Sequence, residues 1–118
     1  MNLEDVTNLL DSLDCPSYEG YAPTGARVPY VVARPQIMDH EELVAITGDA
    51  VAWNNEMYLY ACGGSVSASY NLAVQVMGIL QGARLEGSTL DTTMGYAGAS
   101  VEGHYESQIT VQKHQGGL

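Results

Sequence analysis

Residues 57–83, MYLYACGGSVSASYNLAVQVMGILQGA, contain no Asp, Glu, Lys or Arg, although the 118-residue chain holds 14 acids and 4 bases. The stretch divides into a strand, a turn and a helix. Met57, Leu59 and Ala61 alternate with Tyr58, Tyr60 and Cys62, which predicts a strand with two apolar faces. Gly63-Gly64 is a turn, after which a Ser residue caps a helix predicted from about residue 67 to 81, and Gly82 stands where a helix-terminating glycine belongs. Ala68, Leu72, Val76, Ile79 and Ala83 follow helical spacing and are expected to pack on a sheet. Tyr70, Val74, Met77 and Leu80 take up much of the remaining circumference, and a helix that is apolar nearly all round is buried on more than one side. Gly78 in its interior costs up to about 1 kcal/mol relative to Ala, a cost that makes sense where a neighbouring backbone approaches.

On the N-terminal side of this stretch, NLEDVTNLLDSLD predicts an amphipathic helix over residues 2–14. Asn2 is its N-cap, Glu4 and Asp5 lie at the positive end of its dipole, and Leu3, Val6, Leu9, Leu10 and Leu13 form its stripe. Pro16 ends it. Residues 16–29, PSYEGYAPTGARVP, read as an ordered loop and YVVAR, 30–34, as a strand. DHEE, 39–42, is an acidic loop or the first turn of a short helix. Asn54-Asn55 between two strand-like runs predicts a hairpin. Residues 84–99 are rich in Gly and Thr, fitting a loop or a weak strand. VEGHYESQITVQ alternates as a strand with one wet face, followed by a frayed tail over 113–118. The order predicts one domain over 1–118, with the sheet and second helix in 28–112. Its class is α+β: a mainly antiparallel sheet with two helices packed on one face.

Two helices cannot cover both faces of such a sheet, so the missing cover is expected to be another copy of the chain, with Tyr58, Tyr60, Tyr70, Val74 and Met77 at the subunit interface. The alternative is a tightly packed monomer whose tyrosines lie flat on its own surface. The aromatic set, eight Tyr and one Trp with no Phe, suits surfaces that keep a polar tip in reach of water.

The net charge of −10 argues against nucleic-acid binding, which needs clustered Lys and Arg. Acidity keeps a protein soluble, and it also suits a body past which DNA must move without sticking. Cys15 and Cys62 are too few for a disulfide framework; two free thiols are expected, with a single bridge between them as the alternative. The acidic N-terminus is unlike a signal peptide, and polar residues interrupt the uncharged stretch, so neither an export signal nor a membrane span is expected.

GGSVSAS lacks both the Walker and the dinucleotide spacing and reads as a turn plus N-cap. Asp39, His40, Glu41 and Glu42 lack a partner at metal-ligand spacing. A Cys62–His104–Asp constellation can be imagined, but nothing local specifies a reactive cysteine, and Cys62 reads as a small core residue. No catalytic residue, metal or cofactor is expected.

The helix LEDVTNLLDSL, the segment APTGARVPYVVARP leading into the first strand, the module MYLYACGGSVSASYNLAVQVMGIL and the final ESQITVQ strand together resemble the tail terminator (tail completion) proteins of long-tailed bacteriophages. The resemblance covers most of the chain and is one of architecture. It implies a ring, typically a hexamer, that caps the head-proximal end of the tail tube, stops its polymerisation and offers a docking face to the head connector. It implies no enzymatic activity and no cofactor. The implied partners are other copies of the chain, the major tail tube protein and the head–tail connector protein, and the implied place is the virion neck, with assembly in the host cytoplasm. DNA would pass without specific binding, and six copies would carry roughly −60. Trp53, Asn54 and Asn55 at the hairpin tip, with loop 16–29, are the candidates for meeting tube or connector; Trp53 equally fits a core residue beside a turn. The competing readings are a head-closure or other neck protein and, from another class, a small ligand-binding domain or enzyme.

Overall fold

The computed structural model describes residues 3–35, 56–85 and 87–113. Asn2, the DHEE segment, the Trp53-Asn54-Asn55 tip and residues 114–118 lie outside the described residues.

The first helix is shorter than its stripe predicts. α1 spans Leu3–Leu9 and tightens into a 3-10 turn at Leu10–Ser12, because Leu13 is already extended (φ −70°, ψ 150°) and donates its N–H to Leu10 O. Among the described side chains of the stripe, Val6 and Leu10 are fully buried.

Part of the expected loop 16–29 is a strand. β1, Ser17–Glu19, runs parallel to β2, Tyr30–Pro35, with Ser17 opposite Val31 and Glu19 opposite Ala33. Pro16 O accepts from Val31 N–H and Ala33 O from Gly20 N–H, so the loop is tied to β2 at both ends of β1.

β3, Glu56–Gly63, pairs antiparallel with β2 on one side and with β6, His104–Lys113, on the other. β5, Ser88–Val101, lies beyond β6, and the two-residue β4, Arg84–Leu85, closes the far edge. The sheet order is β1-β2-β3-β6-β5-β4, a mixed sheet in which β1–β2 is the parallel pair. The Gly- and Thr-rich stretch is therefore not loop but most of a long hairpin arm, turning at Glu102-Gly103, both at positive φ. Its register shifts twice, between Met94 and Tyr96 and between Tyr96 and Ala99, and such bulges bend the strand they interrupt. Lys113, expected to open the frayed tail, ends β6 and is buried.

α2, Val66–Leu80, starts at Ser65, whose hydroxyl accepts from Ala68 N–H, so GGSVSAS is a turn and cap. Gln81 caps its end and Gly82 follows at φ +78°. The side facing the sheet is rotated from the expected one. Ser69, Leu72, Ala73, Val76 and Leu80 are buried, whereas Ala68 is exposed and Ile79 and Ala83 are only partly covered. A serine can occupy that buried side because its hydroxyl donates to Val66 O and meets Ser107 Oγ at 3.2 Å.

Both helices lie on one face of the sheet. Val6, Leu10, Leu72, Val76 and Leu80 meet Val31, Ala33, Met57, Leu59, Ala61, Ile109 and Val111 in a single core. The other face carries a smaller cluster of Tyr30, Val32 and Cys62, covered from the loop by Ala22, Ala26 and Val28. The alternation read in β3 accordingly holds: Met57, Leu59 and Ala61 face the helices, and Tyr58, Tyr60 and Cys62 face away.

Candidate functional site

One candidate surface lies along α2. Val66, Tyr70 and Val74 succeed one another at four-residue intervals, so they form a row on one flank, and they are 51 %, 47 % and 45 % exposed. Gly78 continues the row, and apart from its chain neighbours and its own helix backbone nothing lies within 4 Å of where its Cβ would stand. Met77, partly buried against the core, borders the same flank at seven residues from Tyr70. The neighbouring exposed residues Ser67, Asn71 and Gln75 are polar but uncharged.

The expected interface set divides between two faces. Tyr70, Val74 and Met77 share α2, whereas Tyr58 and Tyr60 lie on the opposite side of the sheet. Tyr60 is engaged within the chain: the Arg34 guanidinium stands 5.0 Å from its ring centroid, and Gln108 Nε2 donates to its hydroxyl at 3.3 Å. Trp53, Asn54 and Asn55 lie outside the described residues.

The second candidate is a cavity of about 220 Å³ on that opposite face, with Tyr21, Arg34 and Tyr60 at one end and Cys62, His104 and Glu106 at the other. Antiparallel register places Cys62 directly across from Glu106. His104, two residues before Glu106, shares its face by strand periodicity. The donor atoms of the three side chains all lie within 4.8 Å of one another, and His104 Nε2 is 3.9 Å from Glu106 Oε1. The other carboxylate oxygen, Oε2, accepts from the Tyr96 hydroxyl at 2.6 Å. That tyrosine reaches Glu106 from β5, where it lies between the two bulges. Arg34 is held apart, between the rings of Tyr21 (4.7 Å) and Tyr60, with its Nε donating to Gly20 O at 2.7 Å.

Burial, then the charge of Glu106, pushes the Cys62 thiol up to about 12, against smaller opposing effects of a Tyr30 hydrogen bond and Arg34. Cys62 is thus a neutral thiol near pH 7 and a poor nucleophile by itself. Tyr96 is raised as well, by burial first and then by its hydrogen bond to Glu106, so it keeps its proton as a donor. Cys15 and Cys62 are both free.

Sequence reasoning reached Cys62 and His104 together but passed over Glu106. The alternation of His104, Tyr105 and Glu106 along β6 was the available signal. The pairing of Cys62 with Glu106 carries none, because register across 43 intervening residues is a tertiary property. Among the described residues no helix is long and apolar enough to cross a membrane. In comparisons with known proteins, no family model, no curated protein and no solved structure matches this chain.

Proposed function

We propose that the chain is a self-assembling structural subunit, and specifically that it forms the ring capping the head-proximal end of a phage tail tube. The observation that carries the first step is the flank of α2. Three large apolar side chains, Val66, Tyr70 and Val74, each about half exposed, stand in one row beside Gly78 on a helix with no charged residue. A solvated helix face ordinarily carries Lys and Glu, and a continuous apolar row without them is suited to burial against another protein. A second copy of the chain is the simplest occupant, and Gly78 leaves room for its backbone.

The tail-tube role adds the resemblance in architecture to this surface. In it, six copies close a ring through the α2 flanks, the acidic balance of −10 per subunit keeps passing DNA off the lumen, and the loop over residues 20–29 with the Trp53–Asn55 segment meets tube or connector. The subunit acts by geometry, occupying the growing end of the tube so that no further tube subunit adds.

Native mass spectrometry with negative-stain microscopy tests the ring: annular particles support it, and a monomer at all concentrations overturns it. Adding the purified protein to polymerising tube subunits tests the cap. Tubes should stop elongating, and unaltered tube growth would reject the specific role while leaving self-assembly standing.

A further inference from the structure

The cavity on the face away from the helices lies apart from the α2 flank, and its chemistry is of another kind. We propose that Cys62, His104 and Glu106 form a binding site for one thiophilic divalent cation of the zinc class, with three protein ligands and a fourth position open to the cavity.

The donor set selects the ion. A thiol sulfur, an imidazole nitrogen and a carboxylate oxygen are the three ligand types that Zn²⁺ takes, whereas Mg²⁺ and Ca²⁺ require shells of oxygen. The backbone supplies the convergence. Cys62 and Glu106 are cross-strand partners on β3 and β6, and His104 lies one pleat along from Glu106 at the start of β6. At ordinary Zn–S, Zn–N and Zn–O lengths a tetrahedral ion holds its ligand atoms roughly 3.3–3.7 Å apart. The donor atoms here lie within 4.8 Å of one another, and His104 Nε2 and Glu106 Oε1 are 3.9 Å apart, so small side-chain rotations close the set.

The surroundings are arranged as an outer shell. Tyr96 donates to Glu106 Oε2 and leaves Oε1, the oxygen nearer His104, available to the ion. Outer partners that orient a ligand in this way affect affinity nearly as much as the ligands do. The Tyr30 ring stands 6.1 Å from that of His104 and walls the site on the β2 side. Arg34 carries the nearby positive charge, and it is fixed between Tyr21 and Tyr60 with its Nε committed to Gly20 O. On binding, the ion replaces the Cys62 proton, which leaves to solvent, and the resulting thiolate and the Glu106 carboxylate together balance a double positive charge.

The test uses the full chain, reduced and stripped with a chelator, titrated with Co²⁺ and then with Zn²⁺. One Co²⁺ per chain should bind with a thiolate-to-cobalt charge-transfer band in the near ultraviolet, and Zn²⁺ should displace it. Cys62→Ser should remove the band and Cys15→Ser should leave it. Glu106→Gln and His104→Ala should each weaken binding at least tenfold, and Tyr96→Phe by about tenfold. A cobalt complex without the band, a band that survives Cys62→Ser, or affinity unchanged in both Glu106→Gln and His104→Ala overturns the site. Should Cys62→Ser fail to fold, the Glu106→Gln and His104→Ala titrations decide, since both side chains are partly exposed. The readout is the same for a monomer or a ring.

Discussion

Ser69 on α2 and Ser107 on β6 stand hydroxyl to hydroxyl at 3.2 Å, both fully buried, and they are links in a directed chain of hydrogen bonds. Ser69 spends its proton on Val66 O at 3.0 Å, so Ser107 is the donor between the two, and Gly98 N–H in turn donates to Ser107 Oγ at 3.0 Å. The chain joins the first turn of α2 to β6 and to the bulged part of β5.

Breaking this chain leaves either the partly buried Gly98 N–H or the buried Ser107 hydroxyl without its partner. Ser107→Ala strands the Gly98 N–H and Ser69→Ala strands the Ser107 hydroxyl, so each is expected to cost about 1–3 kcal/mol. The double variant should cost less than the sum of the two, because it removes both hydroxyls together. Urea denaturation of the four proteins in the cycle checks this; strict additivity would deny the coupling.

The two glycines before α2 are expected to respond differently. A Cβ on Gly63 would lie 2.7 Å from Ser69 N and 2.9 Å from Ala68 C, both backbone atoms that cannot swing away, whereas one on Gly64 would meet only a Val28 methyl at 3.9 Å. Gly63→Ala should therefore destabilise by at least about 1–3 kcal/mol, as overpacking does, while Gly64→Ala stays within about 0.5 kcal/mol. Thermal melts of the pair decide it.

The α2 flank offers a separation of assembly from folding. Tyr70→Glu with Val74→Asp places charge where the side chains are about half exposed, so the monomer should keep its stability within about 1 kcal/mol. Sedimentation should show the oligomer reduced to single chains. An oligomer that persists would remove α2 from the interface.

Alkaline pH should weaken the fold. Cys62 is raised from 9.0 to about 12, and Tyr30 and Tyr96 are raised above 10.0, each chiefly by burial. Above about pH 9 the unfolded chain sheds protons that the folded chain retains, so stability falls with rising pH. The contribution of Cys62 is whole below pH 9.0 and is lost as pH climbs toward about 12. The urea midpoint should drop between pH 8 and pH 10.5, less steeply in Cys62→Ala. Alkylation near pH 8 should modify the half-buried Cys15 before Cys62.

Local periodicity made much of this protein legible. The alternation of Met57 to Cys62, the N-cap and glycine-terminated end of α2, the strand over YVVAR and the α+β class all follow from residue spacings of two and three to four, which the backbone imposes wherever the chain lies. The parallel strand Ser17–Glu19, the long β5 arm and the buried Ser69 did not, because each exists only through a partner distant in sequence. Bulges at Gly95 and around Ala97-Gly98 allow a Gly- and Thr-rich stretch to pair with β6, and its composition alone gives no sign of that.

The two candidate surfaces divide along the same line. Tyr70, Val74 and Met77 could be grouped from their order on one helix, whereas setting Tyr58 and Tyr60 beside them required knowing on which side of the sheet α2 lies. Which residues are apolar, uncharged and periodic can be read from their order alone, because those properties belong to the chain. Tertiary structure alone decided that Cys62 faces Glu106 with His104 alongside, because strand register is chosen by the summed burial of the whole sheet and not by the few residues whose chemistry depends on it.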